Sequence, residues 1–368
     1  MDASTHGVCE HEWCGMRALS AEGTMIRHKF AWGCSLSFLA MLLATPVAYA
    51  QERHSSNANE DSVGGARVIE PGQPTATIHA TVEDMERFRE THPHAAHGST
   101  GTSGTASELQ YHGGSGSIGV ETAPKIYLVF WGSQWINGDP TGEAAILEAF
   151  YNGVGGSVWL NSVTQYCQGV ASGTAFCNGA GTPAGNPVGI LAGYWYDNAS
   201  AAPSRPKQSQ LAAEAARAAA HFGNTKSSSN ASVQYVIATA HGANASGFGT
   251  QYCAWHSSTS SSYGKLAYTN LPYITDAGAS CGANFNGLGA DAGITIVAGH
   301  EMAETITDQF PNTGWLDSSG AENGDKCAWI SLGQGAAAAI SLPTGTFAVQ
   351  SLWSNAFNGD AGGCVLSY

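Results

Sequence analysis

The chain of 368 residues carries a formal net charge of −14, with only 11% charged residues and 47 glycines. Its 10 tryptophans, 13 tyrosines and 12 phenylalanines suffice for a large core in one domain or two. Lysines and arginines stand singly, which excludes a nucleic-acid partner, because phosphate backbones are met by clustered cations.

Residues 1–24 precede Met25 and read as an over-extended start. From Met25 a basic stretch leads into an apolar run, Trp32 to Leu43, and then the small-x-small triplet Ala48-Tyr49-Ala50. Residues 25–50 are therefore read as a signal peptide, with a membrane anchor as the alternative. The apolar run is short for a bilayer span. Export implies a secreted, extracellular or periplasmic protein with no membrane attachment after signal removal. Residues 51–108 are polar and rich in Gly, Ser, Thr and His; they read as a leader or propeptide and flexible linker, with 81–91 suited to a short helix. The folded domain is expected over 109–368, as a monomer.

Within it, the apolar run 125–131, closed by Gly132, predicts a strand buried on both faces. Helical spacing follows over 142–151, a strand over 188–196, and an Ala-rich helix over 207–222 behind Pro206. Strands are predicted at 233–239 and 266–274, a helix at 291–308 with Asp291 as N-cap, and short strands at 327–332 and 347–353. This alternation predicts an α/β fold, a central sheet flanked by helices. Six cysteines follow the signal: Cys167, Cys177, Cys253, Cys281, Cys327 and Cys364. An even number in an exported chain, with no C-x-x-C pair, predicts three disulfides rather than a zinc site. Sequence leaves the connectivity open; proximity favours 167–177, 253–281 and 327–364.

The chemistry concentrates in Gly299-His-Glu-Met-Ala-Glu-Thr-Ile-Thr-Asp308. On a helix His300 and Glu304 project one turn apart and can share a metal ion, with Glu301 about 100° round from His300. This is the H-E-x-x-H zinc helix with Glu in place of the second His. In such sites the metal acidifies water and the Glu acts as general base on a carbonyl substrate. Asp308 is about 12 Å along the helix from His300, too far for one ion unless the helix ends early. Glu322 is the preferred third ligand, with Asp317 and Asp325 as competitors. Zn²⁺ is the expected ion, but two carboxylates around one imidazole also suit Ca²⁺ or Mn²⁺. The alternative is a hydrogen-bonded helix surface with no ion.

His256 and His241 are candidate pocket residues, each with a packed or idle histidine as the alternative. Trp131, Trp135, Trp195 and Trp255 fit a sugar or peptide groove or, by default, the core. No G-x-S-x-G elbow supports a serine hydrolase.

Tyr111-His-Gly-Gly, Lys125 to Gly132, Tyr252-Cys-Ala-Trp-His256, Leu271-Pro-Tyr273, His300-Glu-x-x-Glu304-x-x-Thr-Asp308, Glu322-Asn-Gly-Asp-Lys-Cys327 and Leu352-Trp-Ser-Asn355 occur in this order. The string resembles a group of secreted microbial proteins carrying H-E-x-x-E and is distantly similar to the plant phosphate-induced/Exordium family. Gln309 stands where that pattern has proline. The helix motif alone resembles zinc metallopeptidases and implies a zincin-like domain. The expectation is a secreted zinc endopeptidase acting on extracellular protein or peptide. Its rivals are a non-catalytic binding or signalling protein with structural Ca²⁺ or no metal, and a carbohydrate-binding protein.

Overall fold

The continuous apolar runs become the inner strands of a seven-stranded mixed sheet in the computed structural model, which describes residues 63–92, 108–116, 118–136 and 138–368. The expected start and signal peptide lie outside the described residues. The strands are β1 (Gly65–Arg67), β2 (Ala76–His79), β3 (Lys125–Trp131), β4 (Leu191–Asp197), β5 (Val233–Thr239), β6 (Ala254–Ser261) and β7 (Gly264–Leu271). Their order is β1-β2-β6-β7-β5-β3-β4. β7, β5, β3 and β4 pair parallel in succession, whereas β1, β2, β6 and β7 pair antiparallel in succession, so β7 joins the two halves.

Four helices flank the sheet: α1 (Val82–Thr91), α2 (Glu143–Val154), α3 (Gln208–His221) and α4 (Ala292–Thr307). Small side chains bring α3 close on one face, where Leu211, Ala215, Ala218 and Ala219 pack with Val129, Tyr235, Ile237 and Tyr268. On the other face Leu147 and Phe150 of α2 and Ile294 and Ile296 of α4 share a core with Leu128, Phe130 and Val236. Every residue of β5 is buried, as a parallel strand covered on both sides must be. All 16 residues of α4 are buried too. Its apolar positions explain that, but its polar ones then need partners away from water.

Several elements differ from expectation. Residues 63–92, read from composition as leader, supply β1, β2 and α1. β2 shows why they dock: Ala76 and Ile78 join the core on the α3 side, while Thr77 and His79 turn to the α4 side. Strand β6 was not anticipated, since serines and threonine fill its later half. Residues 327–332 form no strand; Cys327 ends a 3-10 turn and Trp329 adopts φ of 52°, a left-handed conformation that breaks a ladder. The run 347–353 divides between the strands Gly345–Val349 and Leu352–Ser354. Asp291 occupies the N-cap of α4 without a side-chain capping bond. The disulfides are Cys167–Cys177, Cys253–Cys281 and Cys327–Cys364. Among the described residues no helix is long and apolar enough to cross a membrane.

Glu143 opens α2 as a buried acid whose Oε1 accepts from the Ile274 amide at 2.9 Å. Burial raises its pKa to about 8 from an ordinary 4.5. The folded state thus holds the proton more tightly than the unfolded chain. The resulting stabilisation is complete below about pH 4.5 and lost as pH rises through about 8. We expect the thermal midpoint of Glu143→Gln to fall less steeply than that of the parent over this window. Parallel melting curves against pH would contradict the assignment.

Candidate metal centre

Three elements and one loop converge beside the middle of α4. The helical repeat puts His300 and Glu304 on one face, with Glu301 on its flank. β6 presents His256, whose Cα partner on β2 is Thr77, and two residues further along β2 His79 points the same way. The loop after α4 brings Glu322 and Asp325. All of these acids and histidines are buried.

His256, His300, Glu301, Glu304 and Glu322 are each held at one side-chain atom and left without a partner at another. Gln350 Nε2 donates to the carbonyls of Gly324 (2.8 Å) and Ser351 (3.2 Å), so its Oε1 accepts from His300 Nδ1 at 3.2 Å. The His300 Nε2 lone pair then faces Glu304 Oε1 at 3.0 Å and Asp325 Oδ1 at 3.8 Å. With Glu301 ionised, His256 Nδ1 donates to its Oε2 at 3.2 Å, which turns Nε2 toward Glu322 Oε1 at 3.5 Å. Thr77 Oγ1 donates to Glu322 Oε1 at 2.9 Å, and the Asp325 amide donates to Glu304 Oε1 at 2.9 Å. Left without a hydrogen-bond partner are His256 Nε2, His300 Nε2, Glu301 Oε1, Glu304 Oε2, Glu322 Oε2 and both nitrogens of His79. An outer partner that fixes the tautomer and frees the inner lone pair is the usual arrangement around a metal-binding histidine.

The His79 ring lies parallel to that of His300, with centroids 3.7 Å apart and planes 3° apart, and Trp329 stacks on it at 4.8 Å. Burial holds the imidazoles neutral: His256 is lowered to about 3, His300 to about 4, and His79 well below its ordinary value. Burial also drives Glu301, Glu304, Glu322 and Asp325 well above the usual carboxylate range, helped by their mutual repulsion. An ionised carboxylate without a counter-charge costs several kcal/mol in such surroundings. Four of them would consume a typical folding stability of about 5–15 kcal/mol. These acids therefore need either protons or cations. Neutral imidazoles with their lone pairs turned inward suit a cation. One ligand atom from each member of His300, Glu304 and Asp325 lies within 4.8 Å of the others; so do those of His256, Glu304 and Glu322, and of His79, His300 and Glu301. The constellation can hold a metal ion.

The structure thus brings together six residues named from sequence: His256, His300, Glu301, Glu304, Glu322 and Asp325. It closes the His300–Glu304 pair with Asp325, while Glu322 faces His256. Asp308 ends α4 and accepts from the amide and hydroxyl of Thr313, with burial raising its pKa to about 7. Asp317 is taken up by Lys326 Nζ at 2.9 Å; burial is the largest single influence on its carboxyl, but Lys326 and hydrogen bonds from Ser319 and Ala321 together outweigh it and hold the pKa low. His241 is exposed and paired with Asp276. Trp131, Trp135 and Trp255 are buried in the core, and Trp195 stacks on His221. His79 was missed because it stands in a segment whose composition reads as leader; an alternating Ala-Thr-Ile-His was its one trace. Compared with known proteins, the chain matches no family model, no curated protein and no solved structure.

Gly324 offers a clean test of the geometry. A Cβ there would stand 2.7 Å from His300 Nδ1 and 2.8 Å from Glu304 Oε1. Its φ of −78° and ψ of −45° suit alanine, so crowding alone would act. We expect Gly324→Ala to weaken Zn²⁺ binding by about 10–100-fold, the scale of a disturbed outer shell. Unchanged affinity in a calorimetric titration would show that the cluster does not bind the ion.

Proposed function

We propose that the chain is an exported metal-dependent hydrolase of polypeptides, with Zn²⁺ as its ion. The observation that carries this reading is the convergence of unpartnered lone pairs from His300, His256, Glu304 and Glu322 beside Glu301. Nitrogen donors favour zinc over calcium, which takes oxygen ligands. When bound, the ion would supply Lewis-acid polarisation of a scissile carbonyl. Glu301, with Oε1 unpartnered and Oε2 held by His256, is the group to take a proton from attacking water and pass it to the leaving amine. The antiparallel pairing of β2 on β6, directly over the cluster, favours an extended polypeptide as the substrate shape. Three disulfides support export. A zincin-like arrangement is in keeping with a metal-bearing helix packed beneath a mixed sheet.

A second reading has its own support. Every cluster residue is buried and β2 covers the site, which also fits a non-catalytic centre that ties residues 63–92 to α4. Hydrolysis requires that β2 yield its place to substrate.

The exported protein, loaded with Zn²⁺, should degrade casein or gelatin. Glu301→Gln, which keeps an acceptor for His256, should lower the rate by about 10²–10⁴-fold with metal content unchanged. Zinc uptake without any cleavage would leave the structural reading standing and end the hydrolase one.

A further inference from the structure

The cluster holds more ligand atoms than one ion can use, and two of its three sets of donors share the Glu304 side chain. Glu304 Oε1 faces His300 Nε2 and Asp325, while Glu304 Oε2 lies 3.7 Å from Nδ1 of His256, the histidine whose Nε2 faces Glu322. We propose that the centre is dinuclear, with two divalent cations bridged by the Glu304 carboxylate, one on His300 and Asp325 and the other on His256 and Glu322. This rests on the reading of the cluster as a metal site and deepens it.

Three observations converge. The two imidazoles are anchored from opposite sides, His300 by Gln350 and His256 by Glu301, so each directs its free Nε2 into a different set. The two oxygens of one carboxylate suit cations about 3.5–4 Å apart, the spacing of two-metal hydrolytic sites. Charge gives the same count. Glu301, Glu304, Glu322 and Asp325 contribute four negative charges when ionised, and two divalent cations neutralise them. One ion would leave two of these acids to be met by protons, or in part by the Arg67 guanidinium that is attracted to Asp325. Asp317 lies outside this balance, paired with Lys326; Asp308 shares a side-chain hydrogen bond with Glu322, and the proton of that bond removes one further charge from the count.

The test is metal stoichiometry on the full exported chain, stripped with chelator and reloaded with Zn²⁺ or Mn²⁺. We expect two ions per chain, and exchange coupling between the pair in the electron paramagnetic resonance of the Mn²⁺ form. Glu322→Gln and Asp325→Asn should each retain one ion and lose the coupling. Should either variant fail to fold, stoichiometry and coupling in the parent chain decide alone. One ion per chain would overturn the dinuclear centre while leaving a mononuclear hydrolase intact; two uncoupled ions would overturn the bridge. No bound ion would overturn this proposal together with the reading on which it rests.

Discussion

Four carboxyl groups share a dry interior with three uncharged imidazoles, and the surrounding architecture exists under that constraint. Ionised acids cannot remain there unaccompanied, since their combined desolvation would exceed the whole margin by which a domain stays folded. The fold therefore surrounds them with outer contacts. Gln350 orients His300, Thr77 restrains Glu322, and the Asp325 amide restrains Glu304. Each of these partners lies on a different segment, so the arrangement of the acids is a property of the tertiary structure.

Helix α4 makes the arrangement possible because it is apolar nearly all round and sinks fully into the interior. Gly299 contributes directly. A Cβ there would stand 3.0 Å from the Trp159 ring and 3.3 Å from Phe150, so glycine lets the ring edges reach the helix backbone. His300, the next residue, is directed to the opposite side, toward β2 and β6. One residue position thus separates the apolar packing surface of α4 from its polar one.

Much of the frame was legible in sequence. The runs that became β3 and β5 are continuous and apolar, and a strand covered on both faces leaves that mark. The Ala-rich α3 announced itself by spacing and by Pro206. The His300–Glu304 pair was legible because a helix converts a separation of four residues into proximity. The contributions that follow no period were harder to see. Strand β6 is half serine and threonine, and it is recruited by pairing with β7 and β2 rather than by its own hydrophobicity. His79 reaches His300 from more than 200 residues away in sequence. The preference for Glu322 over Asp325 as partner of His300 was a matter of loop geometry, which spacing does not encode.

The positions of two cross-links connect the centre to the chemistry of sulfur. Cys253 stands three residues before His256 and is tied to Cys281, ahead of α4; Cys327 stands two residues after Asp325 and is tied to Cys364. The segments that deliver His256, Glu322 and Asp325 are thus moored at points where thiols have been joined. Reduction would open those moorings and remove one restraint on the spacing the donors offer a cation. Any cation taken up by these donors would find their spacing set only after the thiols had been joined.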